Sequence, residues 1–170
     1  LSRKTFPKQF SNLVGNHTLF QQSALRLTSS DLVKFDDHII LTNSDFRFIV
    51  GDQLKKVGID PKNILIEPES KNTAAAILAA SLYAHSNEPE SILLIAPSDH
   101  VIPDIELFHS ALKQGINEVN DGKMVTFGIL PTHPETAYGY LEILADNFNI
   151  QGPCDVIRFI EKPGAIEARE

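Results

Sequence analysis

An aspartate directly follows one of the most apolar stretches of the chain. The run SILLIAP, over Ser91–Pro97, carries no charged side chain, and Ser98, Asp99 and His100 come next. A carboxylate at the carboxyl end of a buried strand is well placed to hold a divalent metal ion that bridges phosphate oxygens. Asp99 is therefore a candidate metal ligand. For this short motif alone, a capped turn before Pro103 is the favoured interpretation.

A second polar group follows the strand-like run NILIE. The stretch EPESKNTAAAI leads from Glu67 into a predicted helix that begins near Asn72 and Thr73. Free backbone N–H groups and the positive end of the helix dipole favour an anion or a polar ligand edge at such a point. Asn72 and Thr73 could bind a nucleobase or a sugar there. Simple capping of the helix by either side chain is the alternative.

Two further motifs lie near the carboxyl end of the chain. In HPETAYGYLEI, Gly139 precedes Tyr140 and would let a ligand approach the backbone closely, or else mark a bend or bulge. In RFIEKP, Glu161 and Lys162 end a predicted strand. Because neighbours in a strand point to opposite faces, we expect the two side chains to serve different faces: Glu161 could accept from sugar hydroxyls and Lys162 could pair with a phosphate. A solvated charged edge is the alternative.

The opening stretch is basic. Arg3, Lys4 and Lys8 fall within six residues, and Lys8 follows Pro7, whose fixed φ could aim the ammonium at a phosphate. An ordinary charged loop explains the same residues.

Composition narrows the classes of function. The chain has 170 residues, a net charge of −7 and one cysteine, Cys154. The acidic balance argues against binding of nucleic acid or a membrane surface. No apolar run reaches the length of a membrane helix. One cysteine cannot form an intramolecular disulfide, which is compatible with a cytoplasmic location. No Ser-His-Asp set, GxSxG, GxxxxGK[ST] or GxGxxG is present, and the histidines lack the spacing of metal ligands.

The elements that must position these residues alternate along the chain. We predict helices over His17–Leu27, Ser44–Gly58, Asn72–Ser86 and Ile105–Asp121, and strands over Asp37–Thr42, Asn63–Glu67, Ser91–Pro97 and Lys123–Ile129. Alternation of this kind indicates an α/β fold with a largely parallel sheet, doubly wound because its apolar strands need cover on both faces. After Pro131, YGYLEIL and VIRFIEK predict partly antiparallel strands. Ligands of such sheets bind beyond the carboxyl ends of the strands.

The order and spacing of five motifs resemble the sugar-1-phosphate nucleotidylyltransferases. LSRKTFPKQF, ILIEPESKNTAAAI, LLIAPSDHVI, VTFGILPTHPETAYGYLEI and VIRFIEKP occur in register with that family, nearest to its mannose-1-phosphate guanylyltransferases. The resemblance implies a Rossmann-like three-layer sandwich with a mostly parallel, mixed sheet, of the nucleotide-diphospho-sugar transferase type. It also implies that mannose 1-phosphate and GTP give GDP-mannose and pyrophosphate with Mg²⁺, in the cytoplasm. A homo-oligomer is left open.

The resemblance also assigns roles to single residues. It places Lys8 on phosphates and makes Asp99 the Mg²⁺ ligand, and with Lys162 these are the expected catalytic residues. Lys8, Glu67, Asn72 and Thr73 match the nucleotide-binding segments. The residues that match the sugar-phosphate site are Gly139, Tyr140, Glu161 and Lys162. Arg3 lies in the same signature.

The family pattern extends beyond this chain at both ends. We therefore expect residues 1–170 to form a partial nucleotidyltransferase domain that lacks the glycine-rich loop, its strand and a later sugar-site segment, and to be inactive by themselves. Without that central strand, neighbouring strand edges would be exposed. Two other functions are open: a truncated, non-catalytic relative that binds nucleotide-sugar, or a transferase for a different sugar 1-phosphate.

Overall fold

The computed structural model describes residues 7–13, 15–69, 71–144 and 152–169. Its Cα positions separate into two compact units, residues 1–109 and residues 110–170. Arg3 and Lys4 lie outside the described residues.

The first unit contains a βαβ arrangement. Its elements are α1 (Leu19–Arg26), β1 (Ile39–Asn43), α2 (Arg47–Lys56), β2 (Asn63–Glu67) and α3 (Asn72–Asn87), and α4 (Ile105–Asn120) begins near its end. Strands β1 and β2 are parallel and pair in continuous register from Ile39–Asn63 to Asn43–Glu67. Helix α2 supplies the crossover that parallel neighbours need. The predicted α/β class and parallel pairing are confirmed, and the predicted helices and these two strands are found within a few residues of their bounds.

The core of the first unit packs two helices and the sheet around aromatic residues. Phe10, Phe20, Ala24, Val50 and Leu54 form a buried cluster. The Phe10 ring meets Phe20 edge-on at 5.8 Å between centroids. Phe10 ends a short 3-10 turn over Lys8–Phe10. Its burial ties that turn to α1 and so fixes the position of the Lys8 backbone.

The helix caps differ from the sequence prediction. The predicted helix begins at Ser44, but the cap is the preceding residue: the Asn43 side chain accepts from the backbone N–H groups of Asp45 and Phe46 at the turn before α2. Helix α3 follows Lys71 without any side-chain cap bond. The side chains of Asn72 and Thr73 form no hydrogen bond within the described part of the chain, so the alternative interpretation, that either of them caps α3, is wrong.

The second unit contains an antiparallel pair of strands. Strands β3 (Tyr140–Ile143) and β4 (Val156–Ile160) pair Tyr140 with Ile160 and Glu142 with Arg158, with an irregularity between Glu142 and Ile143. The predicted antiparallel character after Pro131 is confirmed.

Two predicted strands do not join a sheet. Within the described residues, Ser91–Pro97 and Lys123–Ile129 belong to no ladder, and the described sheets contain two strands each. Ile92 and Ile95 are 44% and 45% exposed, so burial on both faces is wrong here. An apolar run supplies the side chains of a buried strand, but the strand forms only where neighbours pair with its backbone. No described helix is both long and apolar enough to span a membrane.

Candidate active site

Lys8 and Asp99 form an ion pair in the first unit. Lys8 Nζ lies 2.9 Å from Asp99 Oδ2, and the two side chains are 54% and 39% exposed. The hydrogen bond from Lys8 is the main reason that the pKa of Asp99 lies below its ordinary value. Partial burial opposes this shift, and the charges of Lys8 and His100 add to it. The phosphate and metal candidates of the sequence are thus neighbours in the structure.

Lys8 is held in place by the residues that follow it. Gln53 is buried on α2 and donates from Nε2 to the Phe10 carbonyl at 3.2 Å. Its Oε1 accepts from the Thr18 hydroxyl at 2.6 Å. The 3-10 turn therefore has a buried ring and a buried hydrogen bond at one end, and leaves the Lys8 ammonium at the surface.

A mainly aliphatic cavity of about 340 Å³ lies at the carboxyl end of β2. Its lining is Leu41, Leu65, Ile66, Glu67, Pro68, Glu69, Lys71, Ala75 and Ala79. Glu67 is thus at the predicted nucleotide edge, and Asn72 and Thr73 follow in the exposed first turn of α3. Aliphatic walls with a few polar groups at the rim suit a flat heterocycle.

A second cavity, of about 310 Å³, is lined by residues that include His17, Gln21 and Lys56. None of the predicted site residues lines it, and we assign it no role.

Backbone strain coincides with predicted site residues. Among the described residues, the non-glycine residues with positive φ are Asn72, at 63°, and Lys162, at 47°. This left-handed region is uncommon for residues with a Cβ, although asparagine tolerates it better than lysine. Strained conformations of this kind cluster at binding sites, which makes both residues stronger candidates.

In the second unit, Gly139 and Tyr140 lie where β3 begins and β4 ends. The Tyr140 hydroxyl accepts from the Glu135 backbone N–H at 2.9 Å and so closes the preceding loop. A Cβ on Gly139 would clash with the Phe159 ring, whose Cε2 would lie 2.7 Å away. A glycine is therefore needed at position 139 because the Phe159 ring occupies the space of a Cβ, and not because the backbone has a positive φ.

Glu161 and Lys162 lie beyond the last residue of β4. The strand ends at Ile160, and Lys162 Nζ is 3.5 Å from Glu161 Oε1. The expectation that their side chains serve opposite faces of a strand is wrong, because alternation holds only within the extended backbone. Both side chains are more than 60% exposed, so this ion pair costs little to open.

The whole chain matches one protein family. The sequence profile described as nucleotidyl transferase covers residues 1–170. The chain belongs to the nucleotidyl transferase family. Members of this family act on a nucleoside triphosphate and a sugar 1-phosphate, and they typically use a divalent metal ion.

Individual members of the nucleotidyl transferase family are similar over nearly all of the chain. The xanthan biosynthesis protein XanB of Xanthomonas campestris pv. campestris is 43% identical over 169 residues, which are 99% of this chain and 35% of XanB. The alginate biosynthesis protein AlgA of Pseudomonas aeruginosa is 41% identical over 170 residues, or 35% of its length. A mannose-1-phosphate guanylyltransferase of Escherichia coli is 35% identical over 164 residues, or 34% of its length. The chain therefore spans about a third of these relatives.

A solved structure supports the fold assignment. The crystal structure named mannose-1-phosphate geranyltransferase from Thermus thermophilus superposes with a TM-score of 0.78 at 30% identity, over 99% of this chain and 47% of that one. The Rossmann-like α/β fold of the family is thereby confirmed.

The described residues contain no cluster of three or more histidine, cysteine, aspartate or glutamate side chains that could enclose a metal ion. A divalent cation at Asp99 would therefore need further ligands from outside the described side chains, and phosphate oxygens and water can supply them. This is the usual way in which Mg²⁺ is bound beside nucleotides.

The sequence predictions overlooked the residues that support this site. Gln53 holds the Lys8 turn, and Arg26 is buried in α1. Each of the two is a polar residue on the apolar face of an amphipathic helix. Such a residue normally has a hydrogen-bond partner when it is buried, and this is the signal in the sequence that could have identified them.

Proposed function

We propose that this chain is the nucleotide-binding part of an enzyme that joins mannose 1-phosphate to GTP, releasing pyrophosphate and forming GDP-mannose. The Lys8–Asp99 pair carries the proposal: two residues assigned to phosphate and metal from separate motifs lie 2.9 Å apart. The enzymatic relatives and the solved structure with mannose 1-phosphate in their names favour this substrate.

The proposed reaction needs no general base. An oxygen of mannose 1-phosphate attacks the α-phosphorus of GTP in line, and pyrophosphate leaves from the opposite side. Because the attacking oxygen is already anionic, the enzyme contributes orientation and neutralisation of the charge on the phosphates. In the proposed roles, Lys8 binds phosphate oxygens of the nucleotide, and Lys162 binds the phosphate of the sugar.

Asp99 suits Mg²⁺ as a carboxylate ligand. Mg²⁺ in nucleotide enzymes keeps several waters and takes one or two carboxylates plus phosphate oxygens. A single, partly exposed aspartate that remains ionised fits this donor set. Asp99 would hold the ion, which would offset part of the negative charge of the phosphates. Lys8 would then exchange Asp99 for a phosphate oxygen.

The cavity at the end of β2 is the proposed position of the guanine base. Glu67 can accept hydrogen bonds from the N–H groups of a guanine edge, while the aliphatic side chains contact its face. The side chains of Asn72 and Thr73 have no internal partners among the described residues and remain available for the nucleoside. The strained φ of Asn72 supports a binding role.

The sugar-phosphate role is proposed for the exposed end of the β3–β4 pair. Gly139 leaves backbone accessible beside the Phe159 ring, and Tyr140 braces the loop through Glu135. Glu161 can accept from sugar hydroxyls. Lys162 can leave Glu161 for the phosphate with little loss, since their pair is solvent-exposed.

We assign activity to the full-length protein rather than to residues 1–170 by themselves, because these span about a third of the length of the relatives. Residues 1–170 would be part of one nucleotidyltransferase domain of that protein. We place the reaction in the cytoplasm, and the lone Cys154 accords with that compartment.

Calorimetry of the full-length protein with Mg²⁺ and GTP, UTP, TTP or ATP tests the nucleotide assignment. We expect GTP to bind most tightly, and Glu67→Ala to reduce the preference for GTP over ATP. Tighter binding of another nucleotide would favour a transferase of different specificity. Binding of GDP-mannose by a protein that releases no pyrophosphate would favour a non-catalytic relative.

A further inference from the structure

Among the described residues, Arg26 is a buried cation without a counter-ion. It is the last residue of α1 and is 3% exposed. Within the described residues it forms no ion pair with a carboxylate, and its Nε has no acceptor. Burial accordingly lowers the pKa of the guanidinium. A buried charge of this kind costs folding free energy, and an apolar residue of similar volume is often as stable or more so. A role other than stability is the better explanation for an arginine here.

The guanidinium is bonded to both sides of the Asp99 turn. Arg26 Nη1 donates to the His100 carbonyl at 3.1 Å. Arg26 Nη2 donates to Ser23 Oγ at 3.0 Å, and the Ser23 hydroxyl donates to the Pro97 carbonyl at 3.3 Å. The backbone is thus held at Pro97, two residues before Asp99, and at His100, immediately after it. A planar fork with several N–H groups can make these bonds at once, whereas an ammonium presents a single nitrogen.

Phe108 and His109, near the start of α4, hold Arg26 in place. The Arg26 guanidinium carbon lies 5.6 Å from the centroid of the Phe108 ring, a cation–π arrangement. The buried His109 donates from Nε2 to the Arg26 carbonyl at 2.8 Å, and its Nδ1 lies 2.9 Å from Ser30 Oγ. Residues of α4 therefore contact both the guanidinium and the backbone carbonyl of Arg26.

We propose that Arg26, acting with Ser23, is a positioning residue that fixes the backbone around Asp99 so that its carboxylate meets a divalent cation in one orientation. The inference rests on the proposed function, because it takes Asp99 to be the cation ligand. Groups that orient a metal ligand typically change metal affinity or activity by about 10–100-fold when they are removed.

The test compares full-length Arg26→Met, Arg26→Lys and Ser23→Ala with wild type. Hydrogen–deuterium exchange without metal reports on the amides of residues 98–100. Calorimetry with Mn²⁺ and a non-hydrolysable GTP analogue reports on cation affinity without turnover. In Arg26→Met we expect faster exchange confined to this turn, and Mn²⁺ affinity about tenfold lower or more. Arg26→Lys keeps the charge but not the fork, so it should remain defective. Ser23→Ala should show a smaller loss of the same kind.

Arg47→Met on α2 is the matched control, because Arg47 is an exposed arginine that stacks on Phe48 at 4.3 Å. It should leave both readouts unchanged. Unchanged Mn²⁺ affinity in folded Arg26→Met and Ser23→Ala would overturn the inference, as would faster exchange spread over the whole first unit. If wild type binds Mn²⁺ with the analogue but makes no GDP-mannose, weaker binding in Arg26→Met keeps the inference and rejects the proposed function. If wild type binds no Mn²⁺ there, the inference fails.

Discussion

The ammonium of Lys8 and the carboxylate of Asp99 lie 2.9 Å apart, although they come from opposite ends of the first unit's sequence. One follows a proline in a 3-10 turn, and the other follows an apolar run. Each charge satisfies the other in the absence of substrate. A bound phosphate would offer Lys8 a negative partner in place of Asp99, and a bound divalent cation would offer Asp99 a positive partner in place of Lys8. The ion pair can therefore open when both bind.

Loss of either charge should abolish most turnover. We expect Lys8→Met and Asp99→Asn each to lower kcat/KM about a hundredfold or more, the usual scale for removal of a group that stabilises transition-state charge. Pyrophosphate release by the full-length protein measures the effect. Lys56→Met and Asp52→Asn are matched controls, since their exposed ion pair at 2.8 Å lies on α2. A similar loss in those controls would show that the effect is not specific to the site.

The Lys8–Asp99 ion pair should also affect how the Tm of the protein changes at acidic pH. Because the pKa of Asp99 is lowered in the folded state, its stabilising effect is fully present above the ordinary value of 3.8 and lost as pH falls through the lowered pKa. We expect the difference in Tm between wild type and Asp99→Asn to vanish only below that ordinary value.

In a Lys8→Met background, the main cause of the lowered pKa of Asp99 is gone, and partial burial opposes the smaller contributions that remain from His100 and the backbone. The carboxylate should then stabilise the fold less, so Asp99→Asn should lower Tm less near neutral pH in that background than in wild type. An unchanged Tm difference in the two backgrounds would show that the contact is not formed in solution.

Gly139→Ala should disturb the sugar side of the reaction and spare the nucleotide side. The new Cβ would force the Phe159 ring away. Since that ring is 60% exposed, it can move at small cost in stability, within about 0.5 kcal/mol for a surface change. We expect a higher KM for mannose 1-phosphate and an unchanged KM for GTP. Gly139→Ala/Phe159→Ala separates the clash from loss of the ring, and recovery in the double variant would confirm the clash.

Lys162→Gly should make the protein more stable and less active. A φ of 47° is unfavourable for lysine and free for glycine, which corresponds to about 1 kcal/mol. We expect a higher Tm together with a higher KM for mannose 1-phosphate. Lys162→Ala loses the same ammonium but keeps the strained backbone, so its Tm should lie below that of Lys162→Gly. Equal Tm values for these two variants would contradict the strain interpretation.

Much of the fold could be predicted because it depends on local pattern. Strand β2 was predicted over the same residues that the structure shows, and Gly58, with φ of 76°, ends the α2 region as expected. The pairing of Ser91–Pro97 could not be predicted from its apolar composition, since a ladder depends on neighbours elsewhere in the chain. The cap at Asn43 depended on which of three adjacent polar residues turned back onto the helix.

The candidate site was predictable as residue types but not as contacts. Lys8 and Asp99 were singled out separately, and only the tertiary structure shows their ion pair. The orientation of Glu161 and Lys162 was mispredicted because β4 ends one residue before them. Arg26 was overlooked because its partners are the backbone carbonyl of His100 and the hydroxyl of Ser23, which a sequence pattern does not reveal.

The most direct measurement is product formation by the full-length protein supplied with GTP, mannose 1-phosphate and Mg²⁺. Released pyrophosphate and GDP-mannose should appear in equal amounts, only when both substrates are present, and should fall together in Asp99→Asn. No turnover with this pair, while glucose 1-phosphate or another nucleoside triphosphate yields product, would contradict the proposed reaction.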